Sequence, residues 1–228
     1  VRSATLTPNL IQLTKLKMMN AYLIREEEGF TLVDTTMGAA NDLVAAAAAA
    51  GGEITRIVLT HGHGDHVGSV DGLRAKLGPE VTVLMPELDA AILAGATVEP
   101  PAKKRGSWPT LATTPDGTLK DGELVGSLRV VSCPGHTPGH VGFLDTRDQS
   151  LIAGDAFSAI GGLAVPSHAH LRFPLPWGAT CDRPQALVSA RGLRELRPTL
   201  LVVGHGPATP VPAAAMDRAI AAAERAAR

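Results

Sequence analysis

Residues 57–70 read IVLTHGHGDHVGSV, and within them His61, His63, Asp65 and His66 fall in six positions with Gly62 and Gly64 between. An apolar strand-like run, Glu53–Thr60, leads in, and a helical pattern over Val67–Leu77 leads out. The cluster therefore sits in a loop at the C-terminal end of a strand. Neutral imidazole and carboxylate are ligands for zinc and related divalent ions. In an extended segment, side chains two apart point the same way, so His61 and His63 can meet one ion. Asp65 and His66 fall at the turn into the helix and can meet a second. The glycines permit tight bends and leave room between ligands.

One such loop cannot complete two coordination spheres. Three further candidates stand in loops that follow strand-like runs: His136 in SCPGHTPGH (132–140), Asp155 in LIAGDAF (151–157) and His205 in LVVGHGP (201–207). If the strands place their C-terminal ends on one side, these loops converge.

The rest of the chain is consistent with an α/β protein. Asn20–Arg25 and Phe30–Asp34 read as a hairpin around the acidic turn Glu26–Gly29. Gly38–Gly51 reads as an Ala-rich helix, Val81–Met85 as a strand and Pro86–Gly95 as a helix that starts at its proline. Strands are expected at Ser127–Cys133, Val141–Asp145, Ser150–Ala153 and Leu200–Val203. Helices are expected at Pro184–Leu196 and Pro212–Ala227. Two segments, Val98–Gly117 and Gly161–Pro184, read as long irregular loops, which in compact domains are often functional. No linker divides the chain, so residues 1–228 are read as a single domain.

The 228 residues carry a net charge of −1, with 45% hydrophobic and 19% charged side chains, which describes a globular protein rather than a disordered one. A polynucleotide-binding protein would be more basic, so nucleic acid is not an expected partner. No apolar run reaches the length that spans a bilayer, and the first residues show no secretory leader. Two cysteines, Cys133 and Cys181, do not make a disulfide framework and are read as thiols of a cytoplasmic protein. The oligomeric state is open, with a homodimer as the option carried.

The order HGHGDH, GHTPGH, GDAF, GHGP resembles the metallo-β-lactamase superfamily of metal-dependent hydrolases, from about Asn20 to Pro207. The resemblance implies a four-layer αββα sandwich and a dinuclear site. His61, His63 and His136 would hold the first metal, and Asp65, His66 and His205 the second. Asp155 would bridge them. Zinc is the first expectation for both ions, with manganese or iron as alternatives. In the antibiotic-degrading members a cysteine often holds the second metal; here neither cysteine sits in that position, which favours the branch resembling glyoxalase II and the acyl-homoserine lactonases.

Two ions about 3.5–4 Å apart can share a hydroxide that attacks a carbonyl at neutral pH. The expected reaction is hydrolysis of an ester, thioester or lactone of a small molecule, with Asp65 orienting the nucleophile or returning a proton. Within that branch the match is incomplete. About twenty residues follow His205, whereas glyoxalase II proteins carry a further helical domain. The sole tyrosine, Tyr22, lies far from Asp155, whereas many lactonases place one shortly after it. The rival reading is a mononuclear iron sulfur (persulfide) dioxygenase of the same superfamily, its iron held by two histidines and an aspartate. Trp108, His168, Phe173 and Trp177 are candidates to contact substrate. The tryptophans either shape an apolar pocket or anchor their loops on the core, and His168 and His170 either touch substrate or stand by. His140 is read as supporting rather than ligating, Cys133 as a buried thiol, and Lys103–Arg105 as a solvated cluster.

Overall fold

The computed structural model describes residues 1–97 and 105–227. The chain divides into two compact units. One comprises Val1–Ala96 and Ser107–Leu119; the other is built on the chain from Lys120 onward.

Among the described residues, the first unit holds a seven-stranded sheet in sequential order. Strands β1 (Arg2–Thr7), β2 (Leu10–Lys15), β3 (Met19–Glu26) and β4 (Gly29–Val33) form an antiparallel meander. β3 and β4 are the expected hairpin, closed at Glu26 and Gly29. The sheet then turns parallel through β5 (Ile54–Val58), β6 (Thr82–Pro86) and β7 (Gly117–Leu119). Helices α1 (Ala40–Ala49), α2 (Gly64–Val67), α3 (Val70–Leu77) and α4 (Glu87–Leu93) occupy the crossovers. The core joins Phe30, Leu32, Ile57 and Val83 of the strands to Leu43 and Ala47 of α1 and Leu73 of α3, all buried. Burial of each large apolar side chain contributes about 1.5–3 kcal/mol.

Three expectations for this unit need correction. The helix expected from Val67 to Leu77 is broken at Gly68–Ser69. Ser69 is tied to the loop after β4, its N–H donating to Thr35 Oγ1 and its hydroxyl to the Thr36 carbonyl. The Ala39 N–H donates to the same hydroxyl. These bonds turn the chain where periodicity alone reads continuous. Pro86 ends β6 in extended conformation, opposite Leu119, and α4 begins one residue later. An N-terminal strand pair, β1 and β2, precedes the first element read from the sequence. Of the irregular segment 98–117, positions 98–104 lie outside the described residues, including Pro100, Pro101 and Lys103–Lys104; from Arg105 to Asp116 it has no helix or strand.

The second unit holds a six-stranded sheet among the described residues. Its strands are β8 (Leu124–Val125), β9 (Leu128–Ser132), β10 (Val141–Asp145), β11 (Ser150–Ile152), β12 (Leu200–Val202) and β13 (Thr209–Pro210). β8 to β11 are antiparallel, β12 is parallel to β11 and β13 antiparallel to β12. A short helix, α5 (Leu175–Ala179), interrupts the segment read as irregular; Pro176 fits its first turn, where no intrahelical N–H is required. Then come α6 (Arg183–Glu195) and α7 (Ala213–Ala226). The Asp182 side chain caps α6 by accepting from the Gln185 N–H at 2.9 Å. Leu187, Ala190 and Leu193 of α6 and Met216, Ala219 and Ala223 of α7 share a buried cluster with Leu151, Phe157 and Leu201. No helix among the described residues is long and apolar enough to cross a membrane.

The loop from Cys133 to His140 is clamped on the start of α6. The Asp182 N–H donates to the Gly135 carbonyl at 2.8 Å. Gly135 has φ +129°, and a Cβ there would lie 2.3 Å from the Ala186 nitrogen. Gly135→Ala must therefore push α6 away from the loop, at a cost of about 2 kcal/mol or more. Thermal unfolding should show a midpoint lowered by roughly 4–8 °C. Gly178→Ala, with nothing within 4 Å of its Cβ, should leave the midpoint nearly unchanged.

Candidate metal centre

In the first unit, parallel strands β4, β5 and β6 deliver three polar groups at their C-terminal ends. Asp34 follows β4, Thr60 and the histidine loop follow β5, and Asp89 lies in α4 after β6. Asp89 accepts the Gly62 N–H at 2.8 Å and so fixes the loop between His61 and His63. The loop is held on its other flank by the Gly64 N–H, which donates to the Ser107 carbonyl at 2.8 Å.

His61, His63 and His66 are buried together. The His61 ring lies 4.0 Å from that of His66 and 4.8 Å from that of His63. Asp65, in the first turn of α2, is partly exposed, with a carboxylate oxygen 4.0 Å from His66 Nε2. The hydrogen bonds define the tautomers. Asp34, an acceptor only, lies 2.8 Å from His66 Nδ1 and also takes the Thr60 N–H at 2.8 Å and the Thr60 hydroxyl at 2.8 Å. His66 Nδ1 is therefore the protonated nitrogen. The one Thr60 hydroxyl proton goes to Asp34, so its oxygen accepts from His61 Nδ1 at 3.0 Å. Both rings thus present Nε2 as the nitrogen able to ligate.

The second unit repeats the arrangement. β9 and β11 run the same way, each antiparallel to β10, and β12 is parallel to β11. Their C-terminal ends share one sheet edge, and His136, Asp155 and His205 follow them. The Ala153 N–H donates to the Val202 carbonyl and the Gly204 N–H to the Gly154 carbonyl, which ties the last two loops together. Thr180 donates its hydroxyl to the Pro176 carbonyl at 2.6 Å and accepts from His136 Nδ1 at 3.0 Å. His136 Nε2 lies 3.4 Å from Asp155 Oδ2, and His205 Nε2 lies 3.2 Å from the same oxygen.

His140 braces this set from behind. Its Nε2 accepts the Asp155 N–H at 3.0 Å, so the ring proton sits on Nδ1 and faces Cys133 Sγ at 3.1 Å. Burial pushes the Cys133 thiol far above its ordinary range, which keeps it protonated and unsuited to ligation.

The structure thus gathers His61, His63, Asp65 and His66 in one unit, and His136, Asp155 and His205 in the other. Trp108 packs edge-on to His63, ring centroids 5.1 Å apart, and covers Gly62, where a Cβ would lie 2.6 Å from the indole. Phe173 lies 5.3 Å from the His205 ring. Trp177 carries the Arg183 guanidinium over its face at 4.2 Å, and His168 lines a cleft with α7. Sequence reasoning missed Asp34, Thr60, Asp89 and Thr180 as supports. For Asp34 a signal existed: a carboxylate directly following the apolar run Phe30–Val33.

Residues 16–205 match the family model described as the metallo-beta-lactamase superfamily. The chain is similar to the uncharacterized protein YobT of Bacillus subtilis (strain 168), 40% identical over 213 residues that cover 91% of each chain. It is also similar to the hydroxyacylglutathione hydrolase of Methylococcus capsulatus, 30% identical over 156 residues, 67% of this chain and 53% of that one. This chain therefore spans about half of that hydrolase's length. Among solved structures, TTHA1623 in a di-iron-bound form is 28% identical, with a TM-score of 0.65 over 93% of this chain and 96% of that one. The α/β fold that the family resemblance implies is that of this solved structure, and this chain belongs to the metallo-β-lactamase superfamily of metal-dependent hydrolases.

Proposed function

We propose that the protein is a dinuclear-metal hydrolase that cleaves an ester, thioester or lactone of a small molecule, with both sets of ligands serving one centre. The observation that carries this reading is the position of Asp155. One of its oxygens lies against a nitrogen of His136 and a nitrogen of His205, as a carboxylate shared by two ions requires. The donor set fits such ions: buried imidazoles, of which His61, His66 and His136 have Nδ1 engaged and Nε2 left to ligate, plus carboxylates, with no thiolate among them. His61, His63 and His136 would hold one ion, Asp65, His66 and His205 the other, and Asp155 both.

When bound, the ions supply Lewis acidity toward a carbonyl oxygen and acidify water at neutral pH. The chain's own residues do the rest. Asp34, Thr60 and Thr180 hold the imidazoles in the ligating tautomer. Asp65 is the carboxylate of the set that meets solvent, so it can pass a proton between the reacting group and water. Trp108 against His63 and Phe173 against His205 supply apolar walls for the substrate. The Trp177 face is occupied by Arg183, which leaves it a smaller share of that role. The hydroxyacylglutathione hydrolase relatives favour a thioester, and the di-iron relative makes iron an alternative to zinc. A cytoplasmic enzyme acting on a small molecule, without nucleic acid or membrane and with a homodimer as the assembly carried, completes the reading.

Metal analysis of the purified protein, paired with assays on an acyl-glutathione thioester and a set of lactones, tests it. About two zinc, manganese or iron ions per chain, together with turnover, are expected. A single iron, with oxygen consumption on a persulfide, would establish the dioxygenase instead. Asp155→Ala should lose metal and turnover together, and retention of both would remove Asp155 from the bridge. Asp34→Asn keeps the side-chain shape and tolerates the φ of +58° at that position, yet removes the carboxylate from His66. Competition with a chelator should show its metal affinity lowered by about 10–100-fold.

A further inference from the structure

A cleft of about 390 Å³ opens in the second unit between the segment after β11 and the helix α7. That volume is within the range of small-molecule sites. Ala215, Arg218 and Ala219 line one side and belong to a single helical stripe, spaced three and four apart. Leu163, His168 and His170 line the other, and no carboxylate is among the lining residues.

The cleft gathers basic groups without a counter-charge. The two acidic residues of α7 are committed to α6: Arg194 donates to both oxygens of Asp217 at 2.7 and 3.0 Å, and Arg191 donates to Glu224 at 2.7 Å. Among the described residues no carboxylate pairs with Arg218. His168 Nδ1 is buried and makes no well-formed hydrogen bond among the described residues, although the Val165 backbone lies close enough to favour the protonated ring. Burial first, and the neighbouring His170 second, hold the His168 imidazole below its ordinary pKa against the opposing pull of the Val165 backbone. A buried polar nitrogen without a well-formed hydrogen bond is unfavourable, and an anionic acceptor would offset that cost.

We propose that this cleft binds a small organic monocarboxylate, its head held by Arg218, His168 and His170 and its short apolar body lying along Ala215, Ala219 and Leu163. The planar guanidinium matches a carboxylate in a two-bond pairing. Phosphate would satisfy the same donors, but the apolar stripe would then face nothing, which favours an organic acid. The site is separate from the hydrolase reading and stands whether or not that reading holds.

The test is a titration of the full chain with butyrate, followed through the ring signals of His168 and His170 by NMR. Butyramide and inorganic phosphate serve as comparison ligands. Saturable shifts at both rings are expected with butyrate below about 10 mM, and none with butyramide. Arg218 is exposed on α7, so R218Q should fold normally; it should weaken butyrate binding by about tenfold. H168Q should weaken it too, with R218Q as the measure if that variant fails to fold. The proposal is overturned by absence of shifts at these two rings, by equal binding of butyramide, by an R218Q affinity equal to the parent's, or by phosphate saturating first.

Discussion

An imidazole serves a cation only through the ring nitrogen that carries no proton, and everything at the candidate centre depends on that assignment. Two threonines make it, by the same logic. A hydroxyl has one proton to give. Thr60 gives its proton to Asp34 and Thr180 to the Pro176 carbonyl. Each oxygen is then obliged to accept, from His61 in one unit and from His136 in the other. His66 receives the stronger version, a carboxylate on Nδ1. The buried charge of Asp34 would be costly in isolation, but the Thr60 N–H, the Thr60 hydroxyl and the His66 ring satisfy it together. Removing any one donor therefore disturbs the others.

Strand direction explains why such supports can exist. A side chain just beyond the C-terminal end of one strand reaches its neighbour's loop only if the two strands end at the same edge. β4 and β5 are parallel and paired at Val33 and Val58, so Asp34 and Thr60 leave the sheet side by side. In the second unit an intervening antiparallel strand achieves the same for β9 and β11. Both units thus convert a rule about sheets into convergence of polar groups, on backbone anchored by buried apolar strands.

The chemistry-bearing loops were legible because metal ligands need particular residue types at close spacing, and His61–His66 is too dense to be a solvent-facing turn. The supports were not, because a buried threonine beside an imidazole has no periodicity: Thr60 and Thr180 are 120 positions apart in sequence, by subtraction of their numbers, and do the same work. The break at Gly68–Ser69 was hidden for a related reason. The apolar spacing of Val67, Val70 and Leu73 continues across it, and only the distant Thr35 and Thr36 reveal why the helix stops. Likewise β1 and β2 pair through backbone groups that a sequence of mixed polarity does not announce. The sequence marks His140 as a support but gives it no mechanism. The structure supplies one, since its Nε2 holds the Asp155 backbone.

Cys133 sharpens the chemical character of the centre. Three residues from His136, a thiolate would bring a soft, strongly donating ligand and a preference for zinc. Instead the sulfur is buried, kept protonated and set to receive the His140 proton. Among the described residues it reaches the centre through His140 and Asp155, as part of the brace. The anionic donors of the proposed reading, Asp65 and Asp155, would be hard oxygens beside imidazoles of intermediate softness. Such a set discriminates weakly among zinc, iron and manganese by affinity, so the ion held would be governed by the geometry the braces impose and by metal supply. The supports that fix tautomers are therefore also the means by which this chain would exert what selectivity it has.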